Sequence, residues 1–218
     1  VWNVGAIGLG RIQNMDFYSD VEMETLLKTK FFKNNILCTF HPVTISESET
    51  IKEINSLIEA MEKVIMEKNV KFFISLPNFD AFCSGIREIW ELFIKQYPDN
   101  AIGYANFGDR LYLSLMKRVD VVLGNSSSGI LEAPFLLKAV VNVGKRQQGR
   151  LRSEHVLNSD GTSRDLLEKI DLALSSSFQG SVKTYKSIYG DGKTVQKIYD
   201  QLVSCDFREL NFKKFYYS

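Results

Sequence analysis

Apolar residues follow two alternating rhythms along the chain. Short runs rich in β-branched and aromatic residues predict strands at positions 1–4, 36–40, 70–75, 101–105, 119–123 and 139–143. Between them the spacing turns helical. Over 50–68, Ile51, Ile54, Leu57, Ile58, Met61, Val64 and Ile65 recur at i, i+3, i+4 and i+7, with Glu and Lys on the opposite face. Ser46 and Glu49 stand ahead of that stripe at capping-box spacing. A second stripe, with Phe82, Ile86, Ile89, Trp90 and Phe93, predicts a helix over 81–97 that stops at Pro98-Asp99-Asn100. Shorter helices are predicted over 21–27, 109–117, 127–137, 164–174 and 194–203.

Apolar strands that each lead into an amphipathic helix describe βαβ units, so the predicted class is α/β: a Rossmann-like parallel sheet with helices on both faces. Sheets of this kind bind ligands beyond the carboxyl ends of their strands, which directs attention to the residues following each run. The opening Gly5-Ala6-Ile7-Gly8-Leu9-Gly10 lacks the G-x-G-x-x-G order, and reads as a Gly-rich hinge or ligand-facing loop rather than a dinucleotide fingerprint. Ser175-Ser176-Ser177 reads as a loop.

Composition narrows the partners. With 218 residues, 44% of them hydrophobic, the chain can fill one core or at most two small ones. Lys and Arg number 27 against 26 Asp and Glu, so there is no global field of the kind that coats nucleic acid or an anionic membrane. Any anion must be held locally. Cys38, Cys83 and Cys205 with two histidines offer neither a disulfide framework nor a closed zinc site, so no metal and no cofactor are expected. No apolar run approaches the roughly 18 residues of a membrane span, and the predicted location is the cytoplasm. A strand-like start without Met predicts a piece of a longer chain.

Four strand ends carry polar chemistry. In Leu123-Gly124-Asn125-Ser126-Ser127-Ser128-Gly129, small hydroxyl residues stand where a helix should begin, gathering unpaired amides at a positive helix terminus. That arrangement suits a phosphate, with Glu132 placed to accept from ribose hydroxyls; a capped helix with a solvent-facing Glu fits the spacing equally well. Gly144-Lys145-Arg146-Gln147-Gln148-Gly149-Arg150 follows the 139–143 run and is either a diphosphate clamp or a solvated basic loop. His41 is held extended by Pro42 and projects either over the cleft, as phosphate ligand or acid/base group, or simply into solvent. After the 101–105 run, Phe107 and Tyr112 border a base pocket or belong to the core, and Asp109 is placed to cap the next helix.

The ordered set Asn3-Val4-Gly5, Phe40-His41-Pro42-Val43-Thr44, Pro77-Asn78-Phe79-Asp80, Gly124-Asn125-Ser126-Ser127-Ser128-Gly129, Glu132-Ala133-Pro134, Asn142-Val143-Gly144 with Arg146-Gln147-Gln148-Gly149-Arg150, and Ile188-Tyr189-Gly190-Asp191-Gly192 resembles the C-terminal half of a hydrolysing UDP-N-acetylglucosamine 2-epimerase. The resemblance implies one half of a GT-B two-domain fold, with residues 1–218 as the UDP-binding domain and 204–218 packing on an N-terminal domain that carries the proton-transferring carboxylates. It implies Asn125, Ser126, Ser127 and nearby amides at the diphosphate, Glu132 at the ribose, Phe107 and Tyr112 on the uracil side, and Arg146 and His41 at the nucleotide and phosphates, His41 also being the candidate catalytic group. The implied substrate is UDP-N-acetylglucosamine or a UDP-diacetamido-trideoxy sugar, eliminated to UDP and hydrated to the free 2-epimer for sialic- or legionaminic-type sugars, in a homodimer or tetramer. One departure stands out: Leu137-Lys138-Ala139-Val140 replaces a family Gly-x-Pro entry into the strand, which alters that turn.

Overall fold

The computed structural model describes residues 1–42, 47–77 and 84–205. In chain order the elements are α1 (Gly8–Gln13), α2 (Asp20–Leu27), β1 (Asn34–Thr39), α3 (Glu47–Glu67), β2 (Val70–Ser75), α4 (Ser84–Gln96), β3 (Ala101–Tyr104), α5 (Gly108–Arg118), β4 (Val121–Gly124), α6 (Ser128–Phe135), β5 (Ala139–Val143), β6 (Val156–Ser159), α7 (Ser163–Leu174), α8 (Ser176–Val182) and α9 (Thr194–Ser204). The six strands form one sheet in the order β3-β2-β1-β4-β5-β6, every described pair parallel. The order reverses between β1 and β4, and that switch point opens a crevice at their carboxyl ends.

Alternate side chains of each strand feed two cores. Ile36, Cys38, Phe72, Ile74, Val121, Leu123, Val141 and Val143 pack with the apolar faces of α3, α4 and α7. Leu37, Phe73, Val122 and Val140 point the other way, toward α1, α2, α5 and α6. Helices on both faces explain why the strands read as near-continuous apolar runs. No described helix is long and apolar enough to cross a membrane.

Several expectations are corrected. Residues 1–4 form no strand: Val1 and Trp2 are exposed, and the chain bends at Gly5 (φ +89°) so that Ala6 N–H donates to the Tyr189 carbonyl, a loop partner, at 2.8 Å. The supposed hinge holds α1, which buries Leu9 and Ile12 and needs Gly10 because any Cβ there would press on the Gly192 carbonyl. Ser175 does not continue a loop but caps α8, its hydroxyl accepting from Phe178 N–H at 3.3 Å. The edge strand β6 escaped notice because it is four residues long with two apolar positions. Asp109 does not cap α5; Phe107 holds the N-cap position without a side-chain bond, and Asp109 pairs with Arg11 at 2.8 Å. Ser46 of the expected capping box, Asn78-Phe79-Asp80, the start of the 81–97 helix with Phe82, and the tail from residue 206 onward lie outside the described residues.

The turn from α6 into β5 keeps the conformation of a glycine C-cap without the glycine. Leu137 adopts φ +56°, while Leu137 N–H donates to the Pro134 carbonyl at 3.1 Å and Lys138 N–H to the Ala133 carbonyl at 3.0 Å. This is the Schellman pattern with a leucine in the left-handed position.

Candidate functional site

The switch point is built on close approach of two strand ends. Gly124 (φ +129°) ends β4 so near β1 that a Cβ would collide with the Thr39 carbonyl, and Asn125 N–H then donates to that carbonyl at 3.1 Å. Asn125 is wholly buried, and its amide grips the main chain of His41 from both sides. Oδ1 accepts from His41 N–H and Nδ2 donates to the His41 carbonyl, each at 2.8 Å. The Asn125 carbonyl in turn accepts from Arg146 Nη1 at 3.0 Å and Gln147 Nε2 at 2.8 Å. One residue therefore ties together the ends of β1, β4 and β5. It lies beneath the candidate seat, with both polar atoms of its side chain bonded to the main chain of His41.

Above it the chain turns into α6. Ser127, the N-cap residue, has helical φ and ψ and makes no side-chain cap. Gly129 N–H donates to the Ser126 carbonyl, and Ile130 and Leu131 N–H to the Ser127 carbonyl. The Ser126 and Ser127 amides and the Ser127 hydroxyl find no acceptor among the described residues, although both residues are half-buried. Donors left open at a positive helix terminus suit an oxyanion.

A cavity of about 390 Å³ adjoins these groups, lined by Thr39, His41, Ser75, Phe107, Tyr112, Ser126 and Ser128 among others. His41 is half-buried at its wall; burial, with Arg146 nearby adding to it, holds the imidazole pKa below its ordinary value and favours the neutral ring. Burial, then Arg150, likewise lowers the pKa of Arg146. Neither arginine has an ion-pair partner among the described residues. Arg146, bonded to the Asn125 carbonyl, stands against the loop that carries the open amides, a setting that suits an anion.

The remaining candidates divide. Glu132 stands on α6 with Oε2 buried and unpartnered among the described residues; burial raises its pKa, Asp109 adds to the rise, and Arg11 opposes it. An orphaned acceptor of this kind fits a ligand hydroxyl. Phe107 is 7% exposed, tilted against the Tyr104 ring with centroids 5.1 Å apart, so it serves core and cavity wall together. Tyr112 turns its hydroxyl toward Thr39 and Ser128, on the side of the serines. Among the described residues no group of His, Cys, Asp and Glu could hold a metal ion.

Sequence reasoning missed Gln147, Ser128 and Thr39 as parts of this network. Gln147 is 3% exposed inside a loop whose neighbours are charged, and a buried amide there leaves no mark in hydropathy. Ser128 and Thr39 have hydroxyls that matter only because Tyr112 lies between them.

Comparison with known proteins shows the family. Residues 1–203 match the sequence profile of the UDP-N-acetylglucosamine 2-epimerase family. The chain is 34% identical over 172 residues to the GDP/UDP-N,N'-diacetylbacillosamine 2-epimerase (hydrolyzing) of Campylobacter jejuni, covering 78% of this chain and 44% of that protein. It is 33% identical over 205 residues to the UDP-N,N'-diacetylbacillosamine 2-epimerase (hydrolyzing) of Legionella pneumophila, covering 93% and 51%. The chain thus spans about half the length of these relatives. The fold is shared with S. aureus MnaA, solved with UDP, at TM-score 0.70 and 15% identity over 99% of this chain and 57% of that one. It is also shared with the UDP-GlcNAc 2-epimerase of Methanocaldococcus jannaschii, at TM-score 0.69 and 13% identity over 92% and 55%. By the family match over residues 1–203 and its 33% and 34% identity to these relatives, the chain belongs to the UDP-N-acetylglucosamine 2-epimerase family.

Proposed function

We propose that this chain is the UDP-binding half of a hydrolysing UDP-sugar 2-epimerase. The observation that carries the reading is the pair of open amides at Ser126 and Ser127, flanked by Arg146 and His41 at the switch point. In this arrangement the diphosphate docks on those amides and the Ser126 and Ser127 hydroxyls, Arg146 and His41 face it from the β5 and β1 ends, and Glu132 Oε2 accepts from the ribose. Phe107 walls the uracil side. Asn125 serves the diphosphate from below, by fixing His41 and the loop.

The reaction is loss of UDP from a UDP-2-acetamido sugar, followed by addition of water to give the free 2-epimer. The leaving group accumulates negative charge on its β-phosphate as the C–O bond breaks. Preorganised amides, hydroxyls and a guanidinium at that oxygen stabilise the developing charge without reorganising. The resemblance assigns the proton-transferring carboxylates to the half of such enzymes that this chain does not match, so the activity proposed is that of the full-length protein. The relatives named for diacetylbacillosamine nucleotides favour a UDP-diacetamido-trideoxy sugar over UDP-N-acetylglucosamine. We further assign the C-terminal stretch from residue 204 to packing against that half, in a cytoplasmic homodimer or tetramer. The exposed apolar stripe Val195, Tyr199, Leu202 and Val203 on α9, which leads into it, supports this.

The test is incubation of the full-length protein with each UDP-sugar and no acceptor. Release of UDP together with a free 2-epimeric sugar is expected. Transfer of sugar only when an acceptor alcohol is added points instead to a glycosyltransferase of the same fold and overturns the reading.

A further inference from the structure

Four hydroxyls stand in file along the cavity. Thr39 Oγ1 lies 3.2 Å from Tyr112 Oη, and Tyr112 Oη lies 2.8 Å from Ser128 Oγ. Ser128 Oγ donates to Ser126 Oγ at 3.0 Å, and Ser128 N–H donates to the same oxygen at 3.3 Å. A hydroxyl has two acceptor sites and one proton. With both acceptor sites of Ser126 occupied, its proton is what it has left to offer, and no acceptor for that proton stands among the described residues.

The last link fixes the direction of the others. Ser128 has given its proton to Ser126, so toward Tyr112 it is an acceptor and the phenol is the donor. Tyr112, its proton used, receives from Thr39. The file therefore runs Thr39 to Tyr112 to Ser128 to Ser126 and ends on a hydroxyl that can donate only outward. Thr39 is 5% exposed and Tyr112 half-buried, so water competes poorly for the inner links. Aligned bonds of this kind polarise one another, by about 10–30% each, and strengthen the terminal donor.

We propose that Tyr112 is a positioning residue of the phosphate seat: through Ser128 its phenol holds the Ser126 hydroxyl as an obligate donor to a ligand oxyanion, and its ring is not a platform for the base. This rests on the nucleotide reading above and moves Tyr112 from the uracil side to the phosphate side. A terminal group that can only donate bonds a phosphate oxygen, which accepts, and discriminates against a ligand presenting another donor there.

Tyr112→Phe keeps the ring and removes the relay, so it separates the two roles. Calorimetric titration of wild type and variant with UDP, uridine and inorganic pyrophosphate is the assay, with thermal midpoints recorded to confirm folding. The variant is expected to bind UDP and pyrophosphate about fivefold to tenfold more weakly while uridine binding is unchanged. Ser126→Ala should weaken UDP similarly, and the double variant should lose little more than Ser126→Ala alone, because Tyr112 acts through that hydroxyl. Ser128→Ala breaks the same file at its middle and is expected to match Tyr112→Phe should the latter fold poorly.

Equal UDP affinity in wild type and Tyr112→Phe overturns the proposal, as does a parallel loss for uridine or full additivity in the double variant. Wild-type binding of pyrophosphate but not UDP refutes the nucleotide reading alone, and the relay is then judged on pyrophosphate. Binding of neither anion refutes both.

Discussion

Replacing Asn125 by alanine probes the joint on which the site stands. The side chain is wholly buried and makes two 2.8 Å hydrogen bonds to the main chain of His41. Its loss leaves an amide N–H and a carbonyl half-buried without their partner. Each such orphan costs about 1–3 kcal/mol, and since His41 retains some access to water, about 2–4 kcal/mol in total is expected. That is a large share of the roughly 5–15 kcal/mol that holds a domain together. Urea denaturation should show the midpoint falling at unchanged slope. UDP affinity should fall as well, because His41 and the Ser126 amide lose their common anchor. Asn125→Asp sharpens the test: the carboxylate still accepts from His41 N–H but repels the His41 carbonyl. Protonation restores a donor, so the aspartate is held with a raised pKa in the folded state, and its damage relative to wild type shrinks as pH falls. A stability loss for Asn125→Ala within about 0.5 kcal/mol, the range of ordinary surface changes, would refute the reasoning.

Two further outcomes follow from the same structure. Leu137→Gly should stabilise the chain by up to about 1 kcal/mol in thermal or urea unfolding, because the left-handed strain at φ +56° costs leucine more than the extra unfolded-state freedom costs glycine. Glu132→Gln should separate stability from binding. The folded-state pKa of Glu132 is raised, so the proton is held more tightly folded than unfolded; the stability this gives is present at low pH and lost as pH rises from about 4.5 through the folded value. The glutamine variant is therefore expected to unfold at a higher temperature than wild type at neutral pH, with the gap closing below about pH 4.5, while its UDP affinity drops.

The sheet was legible because burial on both faces writes a plain signal. Residues 70–75 and 139–143 appear as strands with the predicted bounds, since mostly apolar side chains fill the space between two helical layers, with Lys71 and Asn142 as buried polar exceptions. The amphipathic stripe of α3 was equally plain, beginning at Glu47 rather than residue 50. What failed to read was local. Val1 and Trp2 look like strand residues, but strand formation needs a neighbour, and their segment reaches a loop at Tyr189 instead. α1 and β6 are too short for a period to emerge from six and four residues. At the site, spacing named Ser126, Ser127, Glu132, Arg146 and His41 as candidates; the structure sets His41 and Ser126 on one cavity wall, ties Arg146 to the Asn125 carbonyl, and carries Glu132 on α6. The division of labour was hidden, because whether Asn125 faces a ligand or the main chain of His41, and whether Tyr112 offers its ring or its hydroxyl, depends on contacts between residues 84 and 73 positions apart.

The most direct test of the central claim is a titration of the ¹⁵N-labelled chain with UDP, followed by amide resonances. The account predicts that the Ser126 and Ser127 amides move furthest downfield, with His41 and Gln147 shifting beside them, and that uridine leaves those amides unmoved. Shifts concentrated instead at the second cavity, of about 410 Å³ beside Phe135, Tyr185 and Lys197, with Ser126 and Ser127 unchanged, would contradict it.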